Sequence, residues 1–157
     1  MEQVKTKTTL AFIEYAHGGQ LYGNKPYFLH PLDVAEFGRK QFGQEFDSAA
    51  YTVALLHDVV EDTVYSLEDL RLLGYSSDIL VAVDLVTKDK NLTYEENISK
   101  IIDSGDRRAM MVKFSDNYMN YTGDKSDWDP KKAAKSQAKY MKSMNLLAIA
   151  LQITFEV

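Results

Sequence analysis

The sequence contains no cysteine, which excludes disulfide cross-links and thiolate metal sites alike. That suits a reducing compartment, and the protein is expected in the cytoplasm. No apolar run approaches the roughly 18 residues that suggest a membrane span. Met1 to Lys5 has no apolar run behind a basic start, so the N-terminus does not read as a secretory signal. Positive charge is in deficit as well: 18 Lys and Arg against 23 Asp and Glu leave a formal net charge of −5. An acidic surface repels the phosphate backbone and disfavours a duplex nucleic-acid partner. A small phosphate ester is still admissible, because a metal ion can supply local positive charge. Internal repeats, low-complexity tracts and Pro/Gly/Ser linkers are also missing. What is present, 157 residues of which 45% are hydrophobic, suffices for one domain, 1–157, with a core of its own. Self-association stays open.

The periodic signal is helical almost throughout. Leu10, Ile13 and Tyr15-Ala16 predict a first helix ending before the Gly18-Gly19 pair. Gln20 to Tyr27 reads as a loop. Pro31 suits the first turn of a second helix, which Gly43 closes. Asp47 and Ser48 can cap a third, carrying Ala50, Val53, Ala54, Leu56 and His57. Ser66 opens a short helix that stops at Gly74, and Ser76-Ser77-Asp78 starts another. Thr93 and Glu96 have capping-box spacing. A further helix is predicted from about Asp106 past Asp116, and Pro130 starts a last long one. The apolar run from Leu146 to Val157 reads as the buried or partner-facing end of that helix. No run alternates with period two between hairpin turns, so the expected fold is all-α, a compact single-domain helical bundle.

The chain has three histidines: His17, His30 and His57. His57 and Asp58 follow an apolar stretch, and Glu61-Asp62 comes one turn later. Charges in that position are costly if buried unpaired. A divalent cation resolves the cost, and imidazole with carboxylate suits Mn²⁺, Fe²⁺, Zn²⁺ or Mg²⁺-like chemistry. The alternative is a core histidine beside a solvated acidic face. Adjacent residues do not share a face of a straight helix, but both could still flank one ion near a helix end, or from neighbouring side-chain directions. His30 precedes Pro31 at a fixed helix entrance. Asp116 follows Met111-Val112-Lys113-Phe114-Ser115 and reads as a buried carboxylate, whether a ligand or an ion-pair partner of Lys113 three residues away.

The order His…His-Asp…Asp resembles the HD superfamily of metal-dependent phosphohydrolases. Within it, the chain is most similar to the hydrolase domain of RelA/SpoT-type alarmone enzymes and their small stand-alone relatives. The segments that carry the resemblance are Ala16-His17-Gly18-Gly19-Gln20, the run Pro26 to Ala35, the run Ala54 to Thr63, Leu85-Val86-Thr87-Lys88, and the run Val112 to Asn120. Together they cover roughly residues 10 to 121. The resemblance implies an HD-type helical bundle with one divalent ion, Mn²⁺ in this group, held by His30, His57, Asp58 and Asp116. It implies that Glu61 and Asp62 handle the attacking water and the leaving group. Lys113 and Asn120 would support a small nucleotide, and His17, Gln20 and Tyr27 fall in the entrance region; Lys25 and Tyr27 are further candidates for substrate binding. The implied activity is guanosine 3′,5′-bis(diphosphate) 3′-pyrophosphohydrolase. The alternatives are a phosphatase of another nucleotide or dinucleotide, and a silent nucleotide-binding module. Two departures from the family pattern bear on phosphate binding. The Leu21–Lys25 loop carries one lysine where the family has several cations, and Asn117 follows the aspartate where a basic residue is common. Tyr22 and Tyr27 could instead stack on a base.

Overall fold

A computed structural model describes residues 2–157, with side chains from residue 5 onward, so Met1 lies outside the described residues. Among the described residues the regular elements are helices apart from one small hairpin. In order, the elements are α1 (Glu2–Ala16), β1 (Leu21–Tyr22), β2 (Lys25–Pro26), α2 (Leu29–Phe42), α3 (Ser48–Leu56), α4 (Val59–Asp62), α5 (Leu67–Leu72), α6 (Ser77–Val86), α7 (Tyr94–Ser104), α8 (Arg107–Thr122) and α9 (Pro130–Leu151). The all-α bundle read from the sequence is the observed fold. Among the described residues no helix is long and apolar enough to cross a membrane.

The helix starts follow local chemistry. The Asp47 carboxylate accepts from the Ala50 N–H at the head of α3. Ser66 with Asp69, and Thr93 with Glu96, form complete capping boxes at α5 and α7. Each satisfies backbone donors that the first helical turn leaves orphaned. Asp106 caps α8, and Asp129 caps α9 with Pro130 at its first position. Gly105 ends α7 in the left-handed conformation, φ 72°, which glycine adopts without steric cost.

The helix α8 runs through the middle, packed against α2, α3, α6 and α9. Its Met111 and Phe114 are buried with Val34 and Ala35 of α2, Leu55 and Leu56 of α3, Val83 of α6 and Leu147 of α9. Burying one such large side chain contributes about 1.5–3 kcal/mol. Gly38 lets α2 approach its neighbours closely: a Cβ there would run into the buried ring of Phe46.

Three sequence readings need correcting. Gln20–Tyr27 holds an antiparallel hairpin, Leu21 opposite Pro26 and Tyr22 opposite Lys25, turned through Gly23 at φ 64°. Two-residue strands are too short to show alternation. The third helix does not carry His57 in its body: it ends at Leu56, and α4 begins at Val59. The run 146–157 is not helical throughout. It turns at Gln152, φ 60°, and brings Phe155 back edge-on to Phe114, with ring centroids 5.0 Å apart.

Candidate active site

The break between α3 and α4 builds the centre of the site. Asp58 sits there at φ −106°, ψ 0°, in the sparsely populated bridge region where many active-site residues are found. Leaving the helical path lets two successive side chains turn toward one point, which a straight helix forbids. His57 Nδ1 donates to the Ala54 carbonyl at 2.6 Å. Nδ1 therefore carries a proton, and Nε2 is directed inward. His30 comes from the first turn of α2. On α8, Lys113, Asp116 and Asn120 recur at helical spacing and face the same point.

There the nitrogen and oxygen atoms converge. His57 Nε2 lies 3.0 Å from Asp58 Oδ2 and 3.4 Å from Asp116 Oδ1. His30 Nε2 lies 3.0 Å from the same Asp116 oxygen. All three histidines are buried, and so is Asp116. His57 Nε2 is buried without a hydrogen-bond partner, although such atoms are ordinarily satisfied. Two donors about 2.1 Å from one ion and at right angles to each other lie about 3 Å apart, so these separations suit shared ligation. His30, His57 and Asp58 meet the spacing of a metal-binding group, as do Asp58, Glu61 and Asp62. Two imidazoles with carboxylates form a donor set that accepts a divalent ion.

Electrostatics agree with the geometry. Burial alone would lower the basicity of His57, but Asp58 and Asp116 outweigh it and hold the ring well above its ordinary value. Burial likewise opposes ionisation of Asp116, yet His57, His30 and Lys113 hold it well below the usual carboxylate range. The carboxylates thus call for positive charge beside Nε2, which a proton or a cation meets equally.

Several contacts hold this arrangement. Tyr27 donates its hydroxyl to Asp58 Oδ2. Asn120 Nδ2 donates to Asp116 Oδ1 at 3.1 Å, and Tyr22 donates to Asn120 Oδ1 at 2.7 Å. The Tyr22 ring stacks on His30, with centroids 4.3 Å apart and planes 10° from parallel. Both tyrosines are therefore engaged with protein groups. Gln20 Nε2 donates to the Asp62 carbonyl at 2.7 Å and pairs with His17 through its own carbonyl at 3.0 Å, which pins α4 to the loop before the hairpin. Tyr27→Phe should keep the fold and weaken metal affinity by about 10–100-fold, the usual effect of losing a group that orients a ligand. Titration calorimetry with Mn²⁺ measures it, and an unchanged affinity would show that the bond does not orient Asp58.

A pocket of about 290 Å³ opens over these groups. Glu61 and Asp62 stand at its rim. Glu61 Oε1 accepts from the Lys88 backbone N–H at 2.9 Å. Burial, then the negative charges of Asp58 and Glu61, push Asp62 up to about 6. Of the residues singled out in the sequence, His30, Asp58, Glu61, Asp62, Tyr27, Lys113, Asp116 and Asn120 all line the pocket. His57 lies just beneath them. Lys25 stands apart, exposed on β2 and outside the lining. Asn117 is turned away from the pocket and is fully buried, accepting from the Tyr94 hydroxyl at 2.7 Å and bonding Ser143 of α9. Its lack of charge answers to packing. Sequence reasoning gave no site role to Lys88, Tyr94, Lys139 or Tyr140, which also line the pocket. Nothing in the local pattern of α9 marks Lys139 among its many lysines.

The model of the HD domain family matches residues 27–153. The chain belongs to that family. This HD domain is 34% identical over 128 residues to the GTP pyrophosphokinase of Myxococcus xanthus, a match covering 73% of this chain and 16% of that protein. It is 35% identical over 98 residues to the guanosine-3′,5′-bis(diphosphate) 3′-pyrophosphohydrolase MESH1 of Xenopus tropicalis, covering 60% of this chain and 54% of the other. It therefore spans between about a sixth and about half the length of these curated relatives. Among solved structures it is similar to a metazoan ortholog of SpoT that hydrolyses ppGpp, with a TM-score of 0.70 and 26% identity over 94% of this chain and 92% of that one.

Proposed function

We propose that this HD domain is a Mn²⁺-dependent phosphohydrolase that removes the 3′-diphosphate from guanosine 3′,5′-bis(diphosphate). The observation that carries the reading is the His30, His57, Asp58 and Asp116 cluster, with an orphaned buried imidazole nitrogen at its centre and an acidic pair at the mouth. The similarity to the Xenopus pyrophosphohydrolase and to the metazoan ppGpp hydrolase supports this choice of substrate.

His30, His57, Asp58 and Asp116 would hold the ion. Neutral imidazoles leave most of its charge intact, and the carboxylates anchor it. Bound there, a divalent ion supplies electrophilic polarisation of a phosphoryl oxygen and acidifies water. The residues do the rest. Glu61, fixed by the Lys88 N–H through one carboxylate oxygen, uses the other to accept a proton from the attacking water. The water oxygen bonds to the phosphorus attached to O3′, the P–O3′ bond breaks, and pyrophosphate departs. Asp62, whose carboxyl burial and the neighbouring acids push up to about 6, delivers a proton to the ribose oxygen. Lys113 and Asn120 face the reacting phosphates.

The experiment is a nucleotide panel with Mn²⁺, read for pyrophosphate and orthophosphate. Pyrophosphate release from guanosine 3′,5′-bis(diphosphate), at a kcat/KM above every other compound, is the expected result. No release there, with clear orthophosphate from another nucleotide, would move the activity to a general nucleotide phosphatase.

A further inference from the structure

The pocket has two chemically opposite walls. One is the acidic cage of α2, α3, α4 and α8. The other is built from the start of the α6–α7 loop and the middle of α9, and it presents Lys88 and Lys139. The single lysine of the hairpin, Lys25, is not in the lining. Lys88 and Lys139 thus bring to the pocket lining cations that the hairpin does not supply.

Lys139 is poised there by aromatic faces. Its ammonium lies 4.8 Å from the Tyr94 ring centroid and 4.7 Å from that of Tyr140, within the range of a cation–π contact. Neighbouring lysines have carboxylate partners: Lys113 lies 3.6 Å from Asp116, and Lys142, one turn along α9, lies 2.5 Å from Glu95. Among the described residues neither Lys88 nor Lys139 is seen in such a pair. Burial, and then the charges of Lys113, Lys88 and Lys135, make the protonated form of Lys139 less favourable than usual. Like charges gathered at one mouth repel one another, and an anion placed between them relieves that cost.

We infer that Lys139, with Lys88 beside it, is a specificity-determining site for a second phosphate group of the substrate, remote from the one that reacts. This rests on the proposed hydrolase reading and deepens it. A nucleotide charged at both ends spans the pocket, its reacting diphosphate on the acidic cage and its 5′-diphosphate on the lysine wall. Nucleotides with less charge at the 5′ end lose that anchor and are selected against.

The test compares Lys139→Gln, Lys139→Arg and the control Lys142→Gln with the wild type, each with Mn²⁺. The substrates are guanosine 3′,5′-bis(diphosphate) and guanosine 5′-monophosphate 3′-diphosphate. Lys139→Gln should raise KM for the bis(diphosphate) about tenfold, the effect of losing one charge-assisted hydrogen bond, with kcat little changed. The rise should be smaller for the 5′-monophosphate, Lys139→Arg should restore most of the loss, and Lys142→Gln should match the wild type. A KM for Lys139→Gln equal to wild type on both compounds would overturn the inference and leave the hydrolase intact. Calorimetric binding of the bis(diphosphate) separates the remaining cases. Lys139-dependent binding without turnover sinks the hydrolase and keeps the phosphate site, whereas neither binding nor turnover sinks both.

Discussion

Asp116→Ala should leave the purified protein without its ion and without measurable turnover. One oxygen of this carboxylate lies within 3.4 Å of both His30 and His57, so it is the donor that ties the two imidazoles together. Removing it takes away negative charge at the point where a cation is needed, and leaves two neutral nitrogens with Asp58. A metal ion stabilises phosphoryl transfer by several kcal/mol, and each 1.36 kcal/mol is tenfold in rate, so the loss should be about 10³-fold or more. The substitution also strips the half-buried Lys113 of its carboxylate partner, and breaking a buried pair costs about 3–5 kcal/mol of stability. Asp116→Asn is therefore made alongside, because it keeps the volume and a hydrogen-bonding oxygen. Elemental analysis and circular dichroism of both variants decide the matter. A folded variant that binds Mn²⁺ as tightly as the wild type removes Asp116 from the ligand set.

Glu61→Gln should separate chemistry from everything that precedes it. The amide oxygen can still accept the Lys88 N–H, so the α6–α7 loop stays in place and the metal cage is untouched. What is lost is the ability to take a proton from water. General-base catalysis is typically worth about 10²–10⁴-fold, and kcat should fall by that factor while metal content and melting temperature stay at wild-type values. A near wild-type kcat would leave Glu61 as the anchor of the Lys88 loop and nothing more.

How much of this could be read in the sequence depended on how local the physics was. The capping box at Thr93, and the helix start at Ser66, were legible because four successive residues suffice to make them. The His57-Asp58 and Lys113…Asp116 segments were legible because ionisable groups among apolar neighbours need a reason to be there. The α3–α4 break was not, since it depends on the backbone leaving the helix at Asp58 without a proline or glycine to announce it. Lys139 and Tyr140 were not legible either. They reach the pocket only because α9 packs back along α8, a contact between residues far apart in the chain. Asn117 shows the converse. Its place next to the metal-ligand candidate suggested a role toward the phosphates, whereas its position on the helix turns it to Tyr94 and Ser143.

The buried Asn117–Ser143 bond has a consequence for how such a pocket can change. Ser143 is one turn from Lys139 on α9, so the helix is pinned just behind the lysine wall and independently of the cage. Substitutions on the pocket-facing turn of α9 can therefore alter which anion is gripped while His30, His57, Asp58 and Asp116 keep their places. Chemistry and selectivity are carried by different stretches of the chain and can drift at different rates, with a pair of neutral side chains buried where the two helices meet.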